Sequence, residues 1–255
     1  MTTAPLAGRR AAVTGGGRGI GRAIANHLAG LGADVAVLAR TREQIAEVAR
    51  EITQRGLRGV AIPADLTTSP ACRAAIGAAR EALGGIDILV NNAGWTLTSN
   101  FLEEDEAYWR RVIDVNLWAV IFCSRAALEW MVEHGGGAIV NVASDAGRVG
   151  TGGEAVYSAA KGGVITLTRS LAREMAPRRV RVNCVCPGPT ETEILAENTA
   201  DPAHASRIER MIRLIPMRRV ARPEDIAEAV AFFCTDASQY ITGQVLSVSG
   251  GLTMV

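Results

Sequence analysis

Two residues one helical turn apart, Tyr157 and Lys161, are the first candidates for chemistry. Lys161 is the one lysine among 27 basic side chains, and Tyr157 is one of three tyrosines. Side chains spaced i, i+4 share one face of a helix. A phenol titrates at a pKa of ~10, and a nearby ammonium lowers that pKa by stabilising the phenolate. The pair therefore predicts a group that donates and accepts a proton near neutral pH.

Two further polar residues stand next to apolar stretches. Ser144 follows a predicted strand and is placed to hydrogen-bond a substrate oxygen. Asn116 interrupts an apolar run within a long predicted helix over residues 105–133. Taken singly, each of these four residues also suits a surface or structural role. Their combination predicts one active site.

A glycine-rich turn at residues 14–21 predicts a dinucleotide-binding site. The sequence TGGGRGIG lies between a short predicted strand and a helix, with a second strand about twenty residues further on. Glycines there let the backbone approach a pyrophosphate, whose charge is met by the N–H groups and dipole of the helix start. The spacing T-G-x-x-x-G-x-G is a specific variant of the common glycine motif. It predicts cofactor contacts from Gly15, Gly17, Arg18, Gly19 and Ile20.

The end of the second predicted strand bears on the choice of dinucleotide. An acidic residue there would bind the ribose 2′-OH and repel a 2′-phosphate, but the sequence has Ala39 followed by Arg40. Guanidinium groups at Arg18 and Arg40 suit a 2′-phosphate, so the sequence favours NADP(H) over NAD(H). Arg42 lies two residues further on, near the same corner, and the alternative is that all of these are ordinary surface arginines. Asp65 could bind the adenine amino group or act as a turn or helix-capping residue.

The elements that position these residues follow a regular order. Apolar, β-branched runs alternate with amphipathic stretches, which is typical of a parallel sheet covered by helices. The sequence predicts an α/β, doubly wound Rossmann fold with a seven-stranded parallel sheet. No linker or charge block interrupts the pattern, so residues 1–255 are predicted to form a single dinucleotide-binding and catalytic domain. The predicted strands are Arg10–Thr14, Asp34–Ala39, Gly59–Pro63, Ile86–Val90, Ala138–Ala143, Val180–Val185 and Gln244–Val248.

Composition argues against several other classes of protein. The formal net charge is +1, so no basic excess exists to bind nucleic acid. No apolar run approaches the ~20 residues that span a bilayer, and the first ten residues lack the apolar stretch of a signal peptide. We therefore expect a soluble, cytoplasmic protein without a membrane partner. The three histidines are scattered, and of the five cysteines only Cys184 and Cys186 share a strand face, so no metal site is predicted.

The order of these motifs resembles the short-chain dehydrogenase/reductase family in its single-domain branch. The resemblance implies a sheet with the strand order 3-2-1-4-5-6-7 and a homotetramer, in which the long helix and the Tyr157 helix pack as a four-helix seam. The matching segments run over nearly the whole chain: Thr14–Gly21, Asp65, Asn91–Gly94, Asn116, Ser144, Tyr157–Lys161, Pro187-Gly188 and Thr242-Gly243.

The resemblance also implies a role for each catalytic candidate. Tyr157 would be the general acid and base, and Lys161 would hold the nicotinamide ribose while lowering the Tyr157 pKa. Ser144 would orient the carbonyl, and Asn116 would support a water relay to Lys161. The segment after Pro187-Gly188, at about 189–217, would cap the nicotinamide and the substrate. Further cofactor contacts would come from Leu66, Asn92, Ala93, Gly94, Pro187, Gly188, Thr190 and Thr192, besides Tyr157 and Lys161.

Two stretches bear on the substrate, for which we expect contacts from Ser144, Tyr157 and Trp95. Trp95 follows directly on Gly94 and places an aromatic ring beside the nicotinamide pocket. The segment 144–150 with Glu154 resembles alicyclic 2-hydroxyacyl-CoA dehydrogenases, and ketoacyl reductases are similar overall. Arg148 could meet an anionic tail such as a CoA phosphate. A packing tryptophan and a surface arginine are equally compatible with the sequence.

The leading hypothesis is an oxidoreductase that transfers a hydride reversibly between NADP(H) and a secondary alcohol or ketone. Its substrate would be a small molecule, cyclic or an acyl thioester of the 3-oxoacyl type, carried on CoA or on a carrier protein. One alternative is an NAD-dependent hydroxyacyl-CoA dehydrogenase. The alternative from another class is a non-catalytic, dinucleotide-sensing protein, which the presence of both Tyr157 and Lys161 disfavours.

Overall fold

A parallel sheet forms the centre of the computed structural model, which describes residues 4–200 and 202–255. Its strands are β1 (Arg10–Thr14), β2 (Asp34–Ala39), β3 (Gly59–Pro63), β4 (Ile88–Asn91), β5 (Gly137–Val142), β6 (Val180–Pro187) and β7 (Val245–Val248). They lie in the order β3-β2-β1-β4-β5-β6-β7, and every neighbouring pair is parallel. This confirms the α/β fold and the strand order.

Helices connect the strands and cover both faces of the sheet. They are α1 (Gly19–Gly30), α2 (Arg42–Thr53), α3 (Ser69–Leu83), α4 (Glu106–Ile113), α5 (Ala119–Met131), α6 (Ala146–Val149), α7 (Ala155–Met175), α8 (Glu193–Thr199), α9 (Pro202–Arg213) and α10 (Pro223–Cys234). No helix in the described ranges is both long and apolar enough to cross a membrane.

The core has two layers because successive strand side chains point to opposite faces of the sheet. Val13 on β1 packs in the layer that includes Ile24 of α1 and Val230 of α10. Ala12, its neighbour, packs in the layer on the other face with Ile76 of α3. Strands that are buried on both faces need apolar residues at nearly every position. The strands of this sheet can therefore be recognised in the sequence as short apolar runs.

Two predicted elements differ in detail from the structure. The helix predicted over 105–133 follows one path but is interrupted by a π turn, Asp114–Trp118, between α4 and α5. The tract 189–217 contains α8 besides the expected helix near residues 203–213. The helix α8 is capped by Thr192, whose hydroxyl accepts a hydrogen bond from the Leu195 N–H at 3.3 Å.

Candidate active site

A cleft of about 730 Å³ runs along the carboxyl ends of β1, β2, β4, β5 and β6. This edge is where open parallel sheets bind their ligands. Apart from Arg148, every residue that the sequence analysis proposed for cofactor or substrate lines the cleft, including Ser144, Tyr157 and Lys161. Asn116 does not line it, and neither do Arg42 and Arg148. The structure thus brings together residues that lie up to 177 positions apart, from Gly15 to Thr192.

The turn between β1 and α1 depends on its glycines. Gly15 has a φ of +64°, and a Cβ there would lie 2.8 Å from the Ala93 Cα. A Cβ on Gly21 would overlap the carbonyl oxygen of Gly15. The Asn92 side-chain amide donates to the carbonyls of Thr14 and Gly15 at 3.1 and 3.2 Å, which ties the turn to the end of β4. The result is a tight glycine-rich turn in front of a 12-residue helix.

Two guanidinium groups, those of Arg18 and Arg40, lie near the glycine-rich turn. Arg40 stands at the end of β2, is exposed and lines the cleft. Arg18 also lines it and forms an ion pair with Glu197 of α8 at 3.5 Å. Asp65 accepts a hydrogen bond from the Thr67 N–H at 3.2 Å, so it is a turn residue while still lining the cleft.

These features fit a dinucleotide. A cradle that any Cβ would fill, followed by the positive end of a helix dipole, suits a pyrophosphate. Arg40, which stands at the end of β2 where a carboxylate would repel a phosphate, and Arg18 of the glycine-rich turn suit an additional phosphate on the adenosine ribose.

Three polar side chains meet at the opposite end of the cleft. Ser144 follows β5, and its hydroxyl accepts from the Ala146 N–H at 3.2 Å. It also lies close enough to the phenol of Tyr157 to lower the pKa of that group. Lys161 lies one turn after Tyr157 on α7 and is only 3% exposed. Its Nζ donates to the carbonyl of Val142 at 3.0 Å and lies 5.7 Å from the centroid of the Tyr157 ring.

Burial sets the protonation of this pair. It raises the pKa of Tyr157 above its usual range, and the charge of Glu154 adds to this while the hydrogen bond with Ser144 opposes it. Burial also lowers the pKa of Lys161 to about 8. The expected lowering of the Tyr157 pKa by Lys161 therefore does not hold in this structure. The ammonium lies beside the ring and is engaged by a carbonyl, so desolvation of the phenol dominates.

Asn116 lies behind the cleft wall, in the π turn, and is fully buried. Its Nδ2 donates to the carbonyl oxygens of Trp95 and Val112 at 2.7 and 2.9 Å, and its Oδ1 accepts from the Trp95 N–H at 3.3 Å. A Cβ on Gly94 would lie 2.9 Å from this Oδ1 and 3.4 Å from the Lys161 Nζ. Gly94 thus lets both groups approach the same stretch of backbone. The relay from Asn116 to Lys161 stays a prediction.

The segment after Pro187-Gly188 packs over the glycine-rich turn. The Thr190 hydroxyl donates to the Gly188 carbonyl at 3.0 Å, and the Thr192 hydroxyl donates to the Thr190 carbonyl at 3.3 Å. The Thr192 methyl group would lie 3.2 Å from a Cβ placed on Gly19. Sequence reasoning missed the cleft-lining residues Ile194, Leu195 and Asn198 of α8, and Ile208 and Met211 of α9.

Arg148 lies outside the cleft lining. Its guanidinium donates to the Val245 carbonyl at 3.2 Å and to the Ser247 hydroxyl at 3.0 Å, so it fastens β7 to α6. This geometry gives no support to a contact between Arg148 and a CoA phosphate, which stays a prediction. The thiols of Cys184 and Cys186 share one strand face as expected, with their sulfurs 3.9 Å apart and buried.

The burial of Lys161 has a measurable effect on stability. Its pKa is about 8 in the folded chain against an ordinary value of 10.5, so between these values the unfolded state binds more protons. We expect the free energy of unfolding of the wild type to rise relative to that of Lys161→Met, by up to about 3 kcal/mol from pH 7 to 10.5. Chemical denaturation of both proteins across this range measures the difference.

The comparison is specific because Lys161 is the chain's one lysine. Contributions from other groups, including the N-terminal amine, are shared by both proteins and cancel. A stability difference that stays constant with pH would contradict the burial of a titrating ammonium.

Comparisons with known proteins cover almost the whole chain. Residues 15–253 match the family described as enoyl-(acyl carrier protein) reductase. The chain is 40% identical to the 3-oxoacyl-(acyl-carrier-protein) reductase FabG of Staphylococcus aureus (strain Mu50) over 247 residues, which cover 96% of this chain and 98% of that protein. It is 42% identical to cis-4-hydroxycyclohexanecarboxylate dehydrogenase of Sinomonas cyclohexanicum over 251 residues, 98% of each chain. A crystal structure of a proposed short-chain alcohol dehydrogenase from Sinorhizobium meliloti 1021 superposes with a TM-score of 0.93 at 42% identity, covering 98% of both chains.

Proposed function

Since the chain belongs to the short-chain dehydrogenase/reductase family, we propose that it transfers a hydride reversibly between NADP(H) and a secondary alcohol or its ketone. The observation that carries the proposal is one cleft in which Ser144, Tyr157 and Lys161 face the glycine-rich turn. The turn would hold the pyrophosphate, and the three side chains would act on the substrate oxygen.

The proposed mechanism assigns one proton transfer to Tyr157. Bound NADPH supplies the hydride in the reductive direction. The hydroxyls of Ser144 and Tyr157 are neighbours in the cleft lining, so both would reach one carbonyl oxygen. Burial keeps the phenol protonated, so Tyr157 carries the proton that ketone reduction needs. Lys161, whose Nζ lies 5.7 Å from the centroid of the Tyr157 ring, would hold the nicotinamide ribose.

The names of the relatives guide the substrate class. One relative is named for a 3-oxoacyl thioester and another for a hydroxycyclohexane ring. We therefore extend the proposal to cyclic or acyl-thioester substrates. The matched family is described by enoyl reduction, but two hydroxyls at one point favour reaction at a carbonyl or alcohol oxygen. The apolar cleft residues Trp95 and Val115 would accommodate the carbon skeleton.

The proposal also includes the organisation of the protein. Residues 1–255 would form a single domain, with 189–217 as the cap over the nicotinamide and substrate. A cytoplasmic homotetramer is proposed in which α5 and α7 form a subunit seam. In support, Trp118 is 43% exposed and stacks on Phe122 at 5.3 Å, which leaves an aromatic pair on the helix surface. All five cysteines are free thiols, as in most proteins of reducing compartments.

Cofactor preference tests the proposal directly. We expect kcat/KM for ketone reduction to be at least about tenfold higher with NADPH than with NADH, since one charged hydrogen bond to the 2′-phosphate suffices for a decade. The measurement follows the absorbance of the reduced nicotinamide with both cofactors and a panel of ketones. Preference for NADH would instead support the NAD-dependent hydroxyacyl-CoA dehydrogenase. Binding of a cofactor without turnover of any ketone would support the dinucleotide-sensing alternative.

The same preference should invert in the double variant Ala39→Asp with Arg40→Gln. The new carboxylate repels a 2′-phosphate and can accept from a ribose hydroxyl, while the nearby guanidinium is lost. Arg42→Gln is the matched control, because Arg42 lies two residues further on and does not line the cleft. Raising the salt concentration should weaken NADPH binding more than NADH binding in the wild type. Unchanged preference in the double variant would exclude Arg40 from phosphate recognition.

A further inference from the structure

Trp95 forms a fixed wall of the cleft beside the proposed catalytic hydroxyls. Asn116 holds both backbone polar groups of Trp95, as described above. The Tyr108 ring packs edge-on against the indole with centroids 5.7 Å apart, and its hydroxyl donates to the Leu97 carbonyl at 2.7 Å. A group stacked on this indole therefore has a defined position relative to the cleft.

Arg111 of α4 is stacked on this wall. Its Cζ lies 3.7 Å from the centroid of the Trp95 ring, and the residue lines the cleft. A cation–π contact of this kind positions a guanidinium. The N–H donors of the group point outward in its own plane, so stacking on a ring face leaves them able to bind an anion.

The neighbouring arginine shows what is distinctive about Arg111. Arg110 donates twice to the Glu106 carboxylate, one turn earlier on α4. Arg111 forms no ion pair with any residue in the ranges 4–200 and 202–255, and its guanidinium contacts the indole. Its charge is thus available beside an apolar part of the cleft that includes Val115.

Resting on the proposed function, we propose that Arg111 binds a carboxylate carried by the substrate. The substrate class is then an alicyclic hydroxy acid or the corresponding oxo acid. Its ring would pack on Trp95 and Val115, its carboxylate would meet Arg111, and its reacting oxygen would meet Ser144 and Tyr157. Arg111 determines specificity in this scheme and does not touch the reacting atoms.

A pair of substrates that differ only in charge tests this role. The probes are 4-oxocyclohexanecarboxylate and its methyl ester, reduced by NADPH-saturated enzyme. We expect Arg111→Gln to lower kcat/KM for the acid at least about tenfold, mainly through KM, because one charge-assisted hydrogen bond is lost. For the ester the change should stay within about threefold. Arg111→Lys should recover part of the loss, and Arg110→Gln should leave both substrates unaffected.

Each other outcome argues against the proposal in a defined way. An equal loss for acid and ester would mean that Arg111 only supports the Trp95 wall. No loss for either would mean that it does not reach the substrate. A loss confined to a CoA thioester would identify the bound anion as a phosphate and not as a carboxylate.

A binding measurement separates this inference from the proposed reaction. Calorimetric titration of the NADP⁺ complex with cyclohexanecarboxylate needs no turnover. We expect the Kd to rise at least about tenfold in Arg111→Gln and to stay unchanged in Arg110→Gln. If no ketone is reduced but this difference is found, the proposed function fails and the carboxylate site stands. Equal affinity in wild type and Arg111→Gln overturns the site even if ketones are reduced.

Discussion

Tyr157→Phe is expected to lower kcat for ketone reduction by about 1000-fold, within the range that general acid–base catalysis contributes. The substitution removes the hydroxyl next to Ser144 and leaves the ring in its place on α7. Steady-state kinetics with saturating NADPH would measure the loss, with cofactor affinity and Tm determined in parallel.

Cofactor affinity and Tm should change little in this variant, since the packing of the ring is retained. Tyr240→Phe provides a control in which the same hydroxyl is removed from a fully exposed residue. Its activity should equal that of the wild type. A Tyr157→Phe protein that binds NADPH and turns over normally would place the proton donor on another residue.

The features that the sequence predicted well are those whose chemistry is local. The glycine-rich turn and the Tyr157–Lys161 pair each occupy fewer than ten consecutive positions. Spacing on one helix or one turn then fixes the geometry. The strands were equally clear because burial on both faces demands apolar runs. These local motifs meet in one cleft because the carboxyl ends of parallel strands lie at the same edge of the sheet.

The features that sequence reasoning missed depend on distant partners. Arg148 is engaged by β7, nearly a hundred positions later, and nothing near it in the sequence indicates this. Arg18 pairs with Glu197 on α8, a short helix whose polar composition resembles a loop. The direction of the Tyr157 pKa shift also depended on tertiary structure, because desolvation comes from residues that pack around the phenol.

The proposed role of Arg111 could not be predicted from the sequence either. In sequence it is the second of two adjacent arginines on an amphipathic helix, with no feature that separates it from Arg110. The fold separates them: Arg110 faces Glu106 on the surface, while Arg111 reaches the indole of Trp95. A role in specificity can therefore be argued only after the cleft wall is known.

Lys161→Arg is expected to lower kcat/KM at least about 100-fold, although it preserves the positive charge. Lys161 is 3% exposed, and its Nζ is bonded to the Val142 carbonyl at 3.0 Å. Space around the Nζ is limited, since a Cβ on Gly94 would lie 3.4 Å from it. A planar guanidinium is larger than an ammonium and cannot occupy the same point between the phenol and a ribose. Kinetics at pH 7, together with Tm and NADPH affinity, would measure the effect.

The dependence on pH separates geometry from charge in this variant. The ammonium of Lys161 loses its proton as pH rises through a pKa of about 8, whereas a guanidinium stays charged. If charge alone mattered, Lys161→Arg would match the wild type at pH 7 and exceed it above pH 8. We expect the variant to remain the slower enzyme throughout, because the compact ammonium is needed where Gly94, Val142 and Tyr157 converge. Arg169→Lys, an exposed exchange on the same helix, should leave activity unchanged and show that the effect belongs to this position.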